Sequence, residues 1–154
     1  MEQETEYLRK IMTENKRKLE PLIRYLPWLK DATERSTVST YSSDGLGERS
    51  VPFPVYDSTL MAFIRAAQGS GLMNRNYPYV YSRKGLRTHD DERKLIDNAD
   101  WRSWDDVLGI LSKYVLGGQT RSTLWSEGVS EQIFYRTVQK LSDIIDYWTL
   151  GINT

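Results

Sequence analysis

Ser103-Trp104-Asp105-Asp106-Val107-Leu108-Gly109-Ile110-Leu111-Ser112-Lys113-Tyr114-Val115-Leu116-Gly117-Gly118 carries the clearest periodicity in the chain. Trp104, Val107, Leu108, Leu111, Tyr114 and Val115 recur at three- and four-residue spacing, which lines one face of a helix. Ser103 and Asp106 have the spacing of a capping box, with Asp where Glu or Gln is usual. Gly117-Gly118 stops the helix, since only glycine accepts positive φ without strain. Thr120 to Glu127 then reads as a turn, and Ser130 as the cap of a last helix. Phe134, Val138, Leu141, Ile145 and Trp148 step by four, three, four and three, one unbroken apolar seam.

The pattern weakens towards the N-terminus. Leu8, Ile11, Met12, Asn15 and Leu19 fit one helical face, and Leu22, Ile23 and Leu26 continue it. Pro21 predicts a break or kink, or the first turn of a second helix ending near Asp31. Val38 to Tyr41 and Val51 to Val55 suit a short two-stranded ribbon around a Ser42-Ser43-Asp44-Gly45 turn, with the prolines confined to an edge. Asp57 or Ser58 caps a helix carrying Leu60, Phe63, Ile64 and Ala67. Tyr77, Tyr79 and Tyr81 alternate with Pro78 and Val80, which predicts an extended segment. His89-Asp90-Asp91-Glu92 is the acidic first turn of a short helix to about Asn98.

These elements predict a mostly α fold, a single compact domain over residues 1–154 with its core in about 20–149. Five or six helices and a minor two-stranded β element make it up. The expected core is Leu22, Leu26, Leu60, Phe63, Ile64, Val107, Leu108, Leu111, Val115, Phe134, Val138, Leu141 and Ile145.

Composition excludes several chemistries. With no cysteine and one histidine, thiolate catalysis, disulfides and zinc sites built on cysteines or several histidines are ruled out. No cofactor and no metal is expected. The longest apolar run, Leu60 to Ile64, is far short of the roughly 20 residues a membrane helix needs. The absence of cysteine and of a signal-like N-terminus makes the cytoplasm the expected location. Lys plus Arg and Asp plus Glu number 21 each, so the formal charge is zero, which argues against a general polyanion binder.

Ile110 to Thr120 followed by Leu124-Trp125-Ser126-Glu127-Gly128-Val129 resembles the signature of an uncharacterised bacterial domain family of unknown function. Leu22 to Trp28 and Val51 to Tyr56 resemble its earlier segments. The resemblance covers most of residues 20–148. It implies one compact domain, and carries no activity, cofactor or catalytic residue with it.

Four features invite a chemical reading. The Gly117–Glu127 turn could cradle a small ligand, with Arg121, Trp125 and Glu127 as its side chains. It lacks the phosphate-loop spacing and lysine, and a helix stop followed by a capped turn is the simpler account. Residues 74–89 carry Arg75, Arg83, Lys84 and Arg87 among three tyrosines, a pattern that suits single-stranded nucleic acid. Arg83, Lys84 and Arg87 are the candidates there. However, Arg49 to Arg87 holds six bases against one acid, and Asp90 to Asp106 seven acids against three bases. Mutual neutralisation of the two blocks is the simpler account. His89 is the sole group titrating near neutral pH, and its surroundings read as an exposed helix start. Among the tryptophans, Trp104 and Trp148 lie on core seams, whereas Trp101 and Trp125 lie next to helix starts and are the better candidates to line a pocket.

No catalytic constellation emerges. The expected function is a non-enzymatic protein-interaction or regulatory module, partnered by itself as a homodimer or by another protein. The alternative is a small-ligand-binding domain or enzyme using the Gly117–Glu127 turn. A weaker alternative is single-stranded nucleic-acid binding through residues 74–89. An apolar patch with a polar rim favours the first, and a deep polar pocket beside Trp125 the second.

Overall fold

The computed structural model describes residues 2–32, 38–42, 53–121 and 123–150. Helix α1 (Glu2–Ile23) buries Met12, Leu19 and Leu22 on one face. Pro21 neither breaks nor splits it, because it falls in the last turn and forfeits one backbone bond just before the helix ends. Pro27 instead opens α2 (Leu26–Asp31), where its missing N–H was unpaired anyway. In this short helix Leu29 takes the buried position, and Leu26, expected in the core, is only partly covered.

Strands β1 (Val38–Ser42) and β2 (Phe53–Tyr56) pair antiparallel, Val38 opposite Tyr56 and Ser42 opposite Phe53, with an irregularity between Val38 and Thr40. The connecting turn and Val51-Pro52 lie outside the described residues. Asp57 caps α3 (Ser58–Gly69), its carboxylate accepting from the amides of Thr59 at 2.7 Å and Leu60 at 3.3 Å.

The described residues hold eight helices rather than five or six. Two of the extra ones replace a predicted strand and a predicted turn. Tyr77 to Tyr81 is not extended but forms α4 (Tyr77–Lys84), with Pro78 in the first turn and Gly85 closing it at φ +65°. Tyr77 and Tyr81 therefore share a face, Val80 is buried and Tyr79 points outward. Helix α5 (His89–Asn98) follows, then α6 (Trp104–Gly117). The expected turn at 120–127 is mostly helix, α7 (Thr123–Ser130). Helix α8 (Ile133–Thr149) is entered through Gln132 in the left-handed conformation, φ +62°, and not through a Ser130 cap.

Two local expectations move. The capping box belongs to α5, where the Thr88 hydroxyl accepts from the Asp91 amide while Asp91 reaches back to the Thr88 amide. Ser103 makes no side-chain cap of α6. Nor does Gly118 use positive φ: it sits at −65°. Its lack of a side chain matters for space, since a Cβ there would lie 2.1 Å from the Trp125 indole nitrogen.

Helix α8 is the hub, packed against α1, α2, α5, α6 and α7, with α6 in turn packed on α3 and α4. Phe134 of α8 meets Phe63 of α3 at 5.1 Å between ring centroids and Tyr114 of α6 edge-on at 6.1 Å. Each fully buried Leu, Ile or Phe in this centre contributes about 1.5–3 kcal/mol. Met12 and Leu19 draw α1 into the core, ahead of the expected boundary near residue 20. Among the described residues no helix is long and apolar enough to cross a membrane.

Candidate functional site

The capping box at Thr88 fixes the first turn of α5 and sets His89 and Glu92 side by side, one turn apart. Glu92 points inward and is only 2% exposed. Helix α6 supplies Lys113 and Tyr114 to it, and α4 supplies Tyr81. The Tyr114 hydroxyl donates to Glu92 Oε1 at 2.6 Å, and the Tyr81 hydroxyl donates to Oε2. His89 Nδ1 lies 3.0 Å from Oε1, and Lys113 Nζ 3.5 Å from Oε2. The same ammonium sits 4.5 Å over the Tyr81 ring and 5.3 Å from that of Tyr114.

A carboxylate so deeply covered is normally driven towards its neutral form. Burial is the largest influence on Glu92 and raises its pKa. The hydrogen bonds from Tyr114, Tyr81 and His89, with the Lys113 charge, outweigh it and hold the carboxyl below the usual range. Burial, then the bond to Glu92 and its charge, push both phenols far above the ordinary tyrosine value. Tyr81 and Tyr114 thus remain hydroxyl donors.

This assigns the imidazole's tautomer. The Tyr114 proton is committed to Glu92, so its oxygen accepts from His89 Nδ1 at 2.9 Å. Nε2, on the other side of the ring, lies 3.9 Å from Glu127 Oε2 on α7. Both side chains are about one-third exposed. The arrangement is a histidine oriented by a buried carboxylate, as in hydrolytic triads, without the triad's nucleophile. Its described contacts are Tyr114, Glu92 and Glu127, none an aliphatic hydroxyl. Arg93 braces the rim, at 2.6 Å from Asp90 and 2.7 Å from Glu131.

A second feature lies between α1 and the start of α6. Leu8, Ile11, Met12 and Asn15 of α1 face Trp101, Trp104 and Trp148 across a groove of about 460 Å³, with Arg102 and Asp105 on its rim. Trp101, 36% exposed, stacks on Tyr147 at 5.8 Å and meets Trp148 edge-on at 5.2 Å. The Arg102 guanidinium covers the Trp101 ring at 4.9 Å.

Of Arg121, Trp125 and Glu127, only Glu127 joins the histidine. Trp125 is half-buried, donating its indole N–H to the Val115 carbonyl at 3.1 Å, and Arg121 is exposed. Arg83 and Lys84 both pair with Asp106, Lys84 at 3.5 Å. The Arg87 amide donates to Asp91 at 2.9 Å. Sequence reading missed Tyr81, Glu92, Lys113 and Tyr114 as a site. The available signal was the stripe His89, Glu92, Ile96, which puts an acid in line with a buried isoleucine. Among the described residues no cluster of three or more His, Asp and Glu is placed to hold a metal ion. No family model, curated protein or solved structure matches this chain.

Proposed function

We propose that the protein is a non-enzymatic protein-interaction module whose contact surface is the tryptophan-lined groove between α1 and the start of α6. The carrying observation is the groove itself: apolar walls, three indoles and a rim holding one cation and one anion. Tryptophan and arginine are the side chains most enriched where interfaces concentrate their binding energy. The reading takes the chain as one domain, supported by an apolar core that draws on helices from both ends of the sequence. A photo-reactive benzoylphenylalanine at position 101 tests it, with exposed Arg65 on α3 as the control position. One identified protein should be captured from position 101 and not from 65. Equal or absent capture at the two positions refutes the reading.

A second reading, a small-ligand site, is favoured by the gap between His89 Nε2 and Glu127 Oε2. A ring nitrogen and a carboxylate oxygen facing each other suit a small polar ligand such as an amine or a hydroxyl compound. Because His89 is the sole histidine, its ring resonances report this directly. Amines or polyols that shift them in the native chain, and not in Glu127→Gln, support the site; no shift at millimolar ligand refutes it. The nucleic-acid reading is weakened by Asp106, which already engages Arg83 and Lys84.

A further inference from the structure

We infer that the occupant of the groove is a second copy of this chain, docked about a two-fold axis. This rests on the interaction reading above and names its partner. The rim decides it. Arg102 and Asp105 stand three residues apart on the same edge, and both are exposed. Arg102 lies on Trp101 and reaches Asp100 only at 3.8 Å, while Asp105 takes part in no ion pair among the described residues. A rim with one charge of each sign is self-complementary. A two-fold axis through the groove sets Arg102 of one copy against Asp105 of the other, and symmetry repeats the pair.

The walls follow the same logic. One is aliphatic, with Leu8 and Ile11 on α1, and the other is indole, with Trp101. The axis that pairs the two charges of one edge runs across the groove, so each wall meets its own copy, aliphatic on aliphatic and indole on indole. Zero formal charge leaves no long-range repulsion between copies.

Charge exchange tests this on the full chain, read by sedimentation velocity over a concentration series. The native protein should sediment as a dimer. Arg102→Asp faces like charges twice in a homodimer, and so does Asp105→Arg, and each should weaken association at least tenfold. An equimolar mixture of the two single variants should recover a one-to-one heterodimer, because both cross pairs are again opposite in sign. The doubly exchanged chain should dimerise like the native one. Recovery in the mixture also shows that both variants are folded. A native monomer at every concentration overturns the proposal, as does a native dimer indifferent to the exchanges. Capture of a different protein from position 101 by a monomeric native chain sinks the self-partner alone. Absence of capture together with a native monomer sinks both readings.

Discussion

Glu92→Gln keeps the side chain's shape and removes the charge on which Tyr81, Tyr114, His89 and Lys113 converge. The glutamine amide then presents protons where a carboxylate oxygen accepted them, so at least one donor loses its partner. Hydrogen bonds to a buried charge contribute about 1.5–3 kcal/mol each, and a loss of roughly 2–3 kcal/mol in urea unfolding at neutral pH is expected. The pH dependence follows from the direction of the shift. The folded carboxyl lies below its unfolded value, about 4.3 for a glutamate. The stabilisation is therefore complete above that value and is lost as pH falls through the lower, folded one. Urea midpoints of the native chain should drop on acidification below about pH 4.3, and those of Glu92→Gln should drop less steeply. This residue was hard to read from sequence. Three consecutive acids at a helix start suggest solvent and a favourable helix dipole; Asp90 does behave that way, and Asp91 closes the capping box. Only the spacing to Ile96 sets Glu92 apart.

At the scale of elements, α4 hangs on its contact with α6. Gly109 permits that approach, since a Cβ there would lie 2.8 Å from a Val80 methyl. Gly109→Ala should force α4 outward and destabilise the chain by about 1–3 kcal/mol, as overpacking does. Val80→Ala removes two of the three atoms in the way and leaves its Cβ, at 2.9 Å, so the double variant should cost less than the sum of the singles without reaching the native stability. That non-additivity, measured by denaturant unfolding, checks the contact. The long amphipathic helices α3, α6 and α8 were legible because each has enough turns for its spacing to repeat. Residues 77–81 were not, because tyrosines at every second position mimic a strand. The structure places Pro78 in a first turn, where proline favours helix, and uses only Val80 and the 77/81 pair for packing. The short α7 was hidden likewise: eight residues with two polar positions at its centre read as a turn.

Across the whole molecule, the buried phenols tie stability to alkaline pH. Tyr81 and Tyr114 have folded values raised above the unfolded one, about 10, so their contribution is complete below that pH and is lost as pH rises towards the folded values. Phenolate absorbance should show Tyr81 and Tyr114 ionising only as helical dichroism collapses. In Tyr81→Phe plus Tyr114→Phe the collapse should no longer coincide with a phenolate step. The groove's tryptophans were legible as residues, though not their meeting place: Trp101, Trp104 and Trp148 come from a connector and two helices, and only packing brings them together. The Glu92 network has a parallel origin in α4, α5 and α6, and from this comes a kinetic asymmetry. Its bonds exist only when all three helices have docked, whereas a carboxylate in a half-assembled bundle stays hydrated. Glu92 should therefore remain in water at the folding barrier and be captured on the downhill side. Stopped-flow measurements on Glu92→Gln should find refolding close to the native rate, with nearly all of the lost stability appearing as faster unfolding.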